Sequence, residues 1–261
     1  MPVFPQLATG AMGQYPLRRV RRGRTVENTM PDGHTVRLAD NGAERTEWRL
    51  EYQELSDGEL DALIEFFDAV EGRLGTFTFL DPAGNLLAWS EQLDEPAWEK
   101  GPLVTVEGGV AGPAGEVNAW RVANAAAAPA GIAQTLNVPE ELYYCLSVWV
   151  RSVQTTEVAL VRGDARTTRQ VTAEWSRLTF AAQAVGTAES VLFGLELAPG
   201  AAVEVWGFQV EAQAGASGYK KTGVRGGVYE NARLAGDELK ITTVGPGRHG
   251  CTLNIIHGEH F

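Results

Sequence analysis

Five arginines crowd into seven positions near the start of the chain: Arg18, Arg19, Arg21, Arg22 and Arg24. A guanidinium group prefers planar, bidentate partners, above all carboxylates and phosphates. Carboxylates abound here, with 33 Asp and Glu against 22 Lys and Arg and a net charge of −11. Among like chains the cluster would face acidic neighbours, so it reads as a set of interchain ion pairs, and contact with DNA is the sharper alternative. Stable binding of free nucleic acid is not expected, because an acidic chain repels phosphate backbones.

Seven tryptophans offer a second chemistry, the packing of an indole face on a pyranose ring. Trp89 and Trp98 lie in loop-like sequence and are the candidates for glycan contact. Trp48, Trp149 and Trp206 alternate with polar neighbours inside strands and read as core, while Trp120 and Trp175 head strands. Glycoside hydrolysis needs two carboxylates about 5–9 Å apart across a bond. Glu91, Asp94, Glu95 and Glu99 gather around Trp98, and Glu140-Glu141 follows Pro139, but closeness in a loop sets nothing in opposition. No catalytic residue is assigned, and the chain reads as a non-enzyme.

Metal chemistry has one candidate, His257-Gly258-Glu259-His260. Metal sites need three or four fixed ligands, so this reads as a polar tail and no metal or cofactor site is expected. Cys145 and Cys251 are too few and too far apart for a disulfide framework and read as small buried hydrophobes. The glycines around Arg225 lack the Lys-Ser/Thr of a phosphate loop.

These side chains must be positioned by a β-rich scaffold. The chain has 261 residues, with 30 Gly, 12 Pro and only 3 Met. That length predicts one or two domains. No apolar run approaches the ~20 residues of a membrane helix, and no secretory leader is visible. Residues 46–52 alternate as a half-buried strand, with Trp48, Leu50 and Tyr52 on one face. One helix follows: Ser56 and Glu59 form a capping box, and Leu60, Leu63, Ile64, Phe67 and Val70 recur at the helical period up to Gly72. A strand at 76–80 then ends at Asp81-Pro82.

From residue 83 the texture changes to about nine short strands without a helix, which predicts a sandwich or jelly roll. They fall at 103–107, 119–122, 132–136, 143–151, 157–162, 169–172, 176–181, 191–197 and 203–211. Strands at 239–244 and 251–257 close the chain around Gly245-Pro246-Gly247. Two strands alone are only marginally stable. The economical reading joins 1–82 and 223–261 into one domain and inserts 83–222 into it.

Trp48, Leu60, Leu63, Phe66, Phe67, Gly72, Phe77, Phe79, Asp81 and Pro82 resemble the core pattern of distal tail and lambda-type minor tail proteins of long-tailed phages. The middle segment resembles jelly-roll modules of the carbohydrate-binding type. The matching stretches are Asn85-Leu86-Leu87-x-Trp89-Ser90, Trp98, Trp120-Arg121-Val122 and Gln134. Further matches are Tyr144-x-Leu146-Ser147-x-Trp149, Trp175, Trp206-Gly207-x-Gln209-x-Glu211 and Tyr219-x-x-Thr222. The resemblance implies a mainly β protein: a small barrel-like, tail-tube-type domain with one helix, plus an inserted jelly roll.

It also implies a virion structural protein at the tail tip, in a ring favoured to be six-fold. Its partners would be its own copies, the tail tube protein and the tail hub or other minor tail proteins, with host-surface glycans for the jelly roll. Membrane insertion is not expected. A structural calcium ion is sometimes carried by such modules, without ligands that can be named here. The alternative is a stand-alone carbohydrate-binding adhesin.

Overall fold

The computed structural model describes residues 1–258, with Asn41 by its backbone alone. The chain is mainly β with one α-helix and divides into two compact units. The first comprises Met1–Ala8, Gly13–Phe79 and residues from 229 onward; the second comprises Thr9–Met12 and Leu80–Val228. Among the described residues no helix is long and apolar enough to cross a membrane.

The first unit opens with β1 (Arg18–Arg22) and a hairpin, β2 (Thr25–Thr29) and β3 (Thr35–Ala39). Then come β4 (Arg45–Leu55), α1 (Asp57–Ala69) and β5 (Phe77–Leu80). After the second unit it resumes with β16 (Val228–Leu234), β17 (Ile241–Gly245) and β18 (Arg248–Gly258). Its six-stranded sheet runs β1-β4-β18-β16-β5, with β17 paired to β18. The capping box forms as the sequence predicts: Ser56 Oγ accepts from the Glu59 amide at 3.4 Å, and Glu59 Oε2 accepts from the Ser56 amide at 3.0 Å. The helix buries Leu60, Leu63 and Phe66, so Phe66 rather than Phe67 takes the inner face. Phe66 meets Phe4 at 5.1 Å and Phe77 at 4.9 Å, and Trp48 meets Phe79 at 5.0 Å and Tyr229 at 4.6 Å. These edge-on aromatic contacts form the core of the unit.

The second unit is a sandwich of two five-stranded antiparallel sheets. Its strands are β6 (Glu99–Lys100), β7 (Val104–Ala111), β8 (Val117–Asn124), β9 (Ala130–Leu136) and β10 (Tyr143–Arg151). They continue as β11 (Thr156–Arg162), β12 (Ala165–Val171), β13 (Ser176–Gln183), β14 (Val191–Leu197) and β15 (Ala202–Glu211). One sheet has the order β13-β10-β15-β8-β7 and the other β12-β11-β14-β9-β6. Leu146, Val148 and Val150 of β10, Val203 and Val205 of β15, and Leu195 and Leu197 of β14 are almost fully buried. Period-two alternation then sends Ser147, Trp149 and Arg151 to the opposite face of β10.

That parity corrects the core reading of Trp149 and Trp206. They are half-buried cross-strand partners on the outer face of their sheet. Trp48, by contrast, is 1% exposed, as a core tryptophan should be. Both cysteines are buried free thiols, and burial pushes each up to about 11.

Candidate functional site

The arginine cluster lies on β1 and just beyond it. Pairing of β1 with β4 puts Arg18 and Arg22 beside Arg49 and Arg45 on one face of the sheet, and Arg19 and Arg21 beside Trp48 and Thr46 on the other. The four arginines of β1 are therefore split two and two between the faces, and Arg24 lies beyond the strand. Arg22 Nε meets Glu47 Oε1 at 2.8 Å, shared with Arg45 Nη2 at 2.8 Å, and Arg24 Nη1 lies 3.5 Å from Asp40 Oδ2. Arg18 and Arg21 have no ion-pair partner among the described residues. The face bearing Arg18 and Arg22 continues through Glu47, Arg49 and Glu51 to Thr252, Asn254 and Ile256 of β18. It borders a groove of about 1350 Å³.

Beside this sheet, β2 and β3 pair only with each other. Their register aligns Val26 with Leu38 and Asn28 with Val36 on one face, and Glu27 with Arg37 on the other. The ion pair of that second face closes at 2.6 Å. The apolar face stays open: Val36 is 43% and Leu38 55% exposed, and Met30 near the turn is 50% exposed. A lone two-stranded ribbon with an uncovered apolar face is marginal in water.

Trp89 and Trp98 have different surroundings. Trp98 is 2% exposed, its ring 4.8 Å from Phe208, and its Nε1 donates to the Trp89 carbonyl at 2.9 Å. It is a core residue, which corrects its reading as a glycan contact: a buried indole offers no face to a sugar. Trp89 is half-buried with φ 48°, a left-handed conformation rare outside glycine. Its backbone is held there by Gly223, Gln92 and Trp98.

The motif residues of the sandwich converge on one closure network. Asn85 Nδ2 donates to the carbonyls of Phe208 at 2.8 Å and Lys220 at 3.1 Å, while Asn85 Oδ1 accepts from the amides of Leu87 and Val210. Gln134 exchanges two hydrogen bonds with the backbone of Ala88. Ser90 and Thr222 bond reciprocally, and Ser90 Oγ lies 2.8 Å from Tyr219 Oη. Glu211, 1% exposed, accepts from Lys220 Nζ at 2.6 Å, from the Ser217 hydroxyl and amide, and from Gln209 Nε2 at 2.8 Å. Burial pushes the Glu211 carboxyl up, but Lys220, Ser217 and Gln209 together hold it below the usual carboxylate range. The two ends of the sandwich segment are thus locked to each other. Among the residues that carry the family resemblance, Asn85, Ser90, Gln134, Gln209, Glu211, Tyr219 and Thr222 thus build the module rather than a ligand site.

Two outer faces remain. The face of β12-β11-β14-β9-β6 holds a groove of about 590 Å³. Gly131, Ala133 and Gly194 are among its lining residues, and Glu99, Glu196 and Arg166 also border it. Glycine is obligatory at 194, where a Cβ would come within 2.4 Å of the Ile132 carbonyl. Glu99 accepts from Thr135 at 2.9 Å, and Glu196 pairs with Arg166 at 3.3 Å. No aromatic residue lines this groove.

The opposite sheet is the aromatic one. Its outer face carries Trp149 beside Trp206, with Trp206 tilted against Tyr219 at 4.6 Å and the Arg151 guanidinium 4.9 Å over Trp175. Sequence reading missed this face, although Ser147 and Arg151 share the parity of Trp149 and were the available signal.

The remaining sequence candidates are dispersed. Glu91 pairs with Lys221 at 2.7 Å, away from the Glu99–Thr135 bond. His257 packs on Tyr229 at 5.1 Å, while Glu259 and His260 lie outside the described residues. No cluster of three or more His, Cys, Asp or Glu suited to a metal occurs among the described residues.

No known protein family matches the chain, and no curated protein does. Solved structures resemble it weakly. The C-terminal family 22 carbohydrate-binding module of Clostridium thermocellum Xyn10B is 14% identical, with a TM-score of 0.41 over 53% of this chain and 98% of that one. The CBM22-1 xylan-binding domain of Paenibacillus barcinonensis Xyn10C is 18% identical, with a TM-score of 0.39 over 51% and 94%. The enzymatically active domain of bacteriophage CBA120 tailspike protein 4 is 14% identical, with a TM-score of 0.38 over 51% of this chain and only 22% of the tailspike. The assignment as a β-sandwich rests on the two five-stranded sheets themselves.

Proposed function

We propose that this chain is a structural protein of a phage tail tip, in which the first unit assembles into a ring and the second offers a jelly roll to host-surface glycans. The observation that carries the assembly half is the β2–β3 hairpin, which pairs with no other strand and exposes Val36 and Leu38. Arg18 and Arg21 add two cations without ion-pair partners among the described residues on a chain of net −11. An arm that seats on a different surface of the next copy makes a heterologous contact, which closes into a ring when the rotation allows. The ring, six-fold in this reading, would join the tail tube to the hub. Glycan contact falls to the groove over β14 and β9, whose volume lies within the usual range for ligand sites. Many weak sites on one particle would bind with useful avidity.

The test is the mass of the purified full chain by light scattering, with negative-stain imaging of rings. Wild type is expected as a closed oligomer and the double variant Val36→Ser, Leu38→Ser as a monomer. A monomeric wild type that also binds no tube or hub protein would sink the ring and leave the adhesin reading. Glycan-array binding that Glu196→Ala removes would support the groove, and a blank array for the assembled particle would overturn it.

A further inference from the structure

The groove is not the only surface of the sandwich suited to sugar. We propose that the outer face of the opposite sheet, around Trp149 and Arg121, is a separate binding surface for an acidic glycan, a chain of pyranose rings bearing carboxylates. The proposal rests on the glycan reading only for its ligand class; its residues lie on the other sheet.

Three observations converge. The first is a stacking platform: Trp149 is half-buried, and its side chain has neither a ring partner nor a hydrogen-bond partner among the described residues. The second is charge. The outward positions of β13, β10, β15 and β8 hold Arg177, Arg151, Glu204 and Arg121, and Glu107 follows on edge strand β7. Glu204 is committed to Arg151 at 2.5 Å. Arg121 is exposed and forms no ion pair among the described residues, and Arg177 bonds only neutral oxygens, those of Ser147 and Ser217. Glu211 is already consumed by Lys220 and Ser217. A surplus of guanidinium groups on an acidic protein favours an anion.

The third observation is a surplus of donors. Trp175 Nε1, Trp206 Nε1 and Arg177 Nε are buried and unpaired, and all three belong to this sheet face. Unpaired buried polar groups are rare and call for a partner. All three are donors, so the face has no acceptor to spare, and a ligand that reaches its accessible guanidinium groups must bring acceptors of its own. Strands are spaced about 4.8 Å apart and Arg121 is in register with Arg151, two residues along from Trp149, which puts Arg121 on β8 roughly 12 Å from Trp149 on β10. That reach suits two or three sugar rings, one stacked on the indole and a carboxylate on the guanidinium fork.

The experiment titrates the full chain with hexagalacturonate and with neutral cellohexaose, read by tryptophan fluorescence and calorimetry. Hexagalacturonate should bind saturably and at least tenfold more tightly than cellohexaose, and binding should weaken with added salt. Arg121→Gln, an exposed change that keeps the fold, should weaken it at least fivefold, and Trp149→Ala should abolish the fluorescence change. No saturable binding, equal affinity for the neutral hexamer, or affinity unchanged in both variants would each overturn the proposal. Binding lost in Glu196→Ala but kept in Arg121→Gln would place the ligand in the groove and overturn it too. A failure here with groove binding intact leaves the proposed function standing.

Discussion

The two units spend their polar residues differently. In the sandwich, Asn85, Ser90, Gln134, Gln209, Glu211 and Thr222 find partners inside the unit, and the ends of its chain segment are bonded together. In the first unit, the β2–β3 hairpin keeps an open apolar face, and Arg18 and Arg21 lack partners among the described residues. A module closed by its own hydrogen bonds needs no neighbour to be stable. A ribbon with an uncovered apolar face gains from one. The lesson concerns signatures: the densest polar motifs of the sequence mark closure, and the sparser surface features mark contact.

The largest test of this contrast is Glu211→Ala. Removing the buried carboxylate takes the ion-pair partner from Lys220, which is 30% exposed, and the acceptor from Gln209 and the Ser217 amide, at a cost of about 1–3 kcal/mol. Hydrogen exchange should report the loss in β10 and β15, while the mass of the assembled particle stays that of wild type for as long as the protein is folded. A change in assembly without a loss of protection would erase the contrast. Acid should act in the same place. Because the folded Glu211 carboxyl sits below its ordinary value near 4.5, its contribution is present above that value and is lost as pH falls through the lower folded one. In Glu211→Gln the sandwich should lose this part of its acid sensitivity.

An intermediate effect is expected in the other unit. Ser56→Ala removes the cap of α1 and should cost about 1 kcal/mol. Glu59 would keep its bond to the Ser56 backbone amide, so the helix should fray at its first turn rather than melt. Amide exchange in α1 measures this, with β10 and β15 as the unaffected reference.

Much of the fold is legible because burial imposes a period. Strands β10 and β14 can be read to the residue, since Leu146, Val148 and Val150, and Leu195 and Leu197, alternate with other residues over a single core. Helix α1 can be read from Ser56, Glu59 and its apolar spacing. Strand β2 escapes because no core fixes its pattern: Thr25–Thr29 exposes four of its five residues. Strand β16, Val228–Leu234, interrupts its alternation with Glu230 and Asn231, and Asn231 takes a left-handed φ of 60°. The sites are less legible than the fold. Trp98 sits in loop-like sequence yet is buried by Phe208, a contact more than a hundred residues away that no local pattern announces. The closure network joins residues just as distant, so its members can be recognised as a motif before their task can be read.

The smallest change in stability should accompany the clearest split in behaviour. Arg22 pairs with Glu47 inside the chain, and Arg21, one residue away, faces the other side of the sheet without an ion-pair partner among the described residues. An exposed ion pair contributes about 0–1 kcal/mol, so Arg22→Gln should lower the stability of the first unit slightly and Arg21→Gln not measurably. In assembly the order should reverse. If Arg21 meets a carboxylate of a neighbouring copy, Arg21→Gln weakens association and flattens its dependence on salt, because the screened interaction is gone. Arg22→Gln, whose charge is already satisfied at home, should leave that slope nearly as it was. Sedimentation of both variants across a salt series reads the two slopes directly, and equal slopes would mean that the unpaired arginine is solvated surface rather than part of an interface.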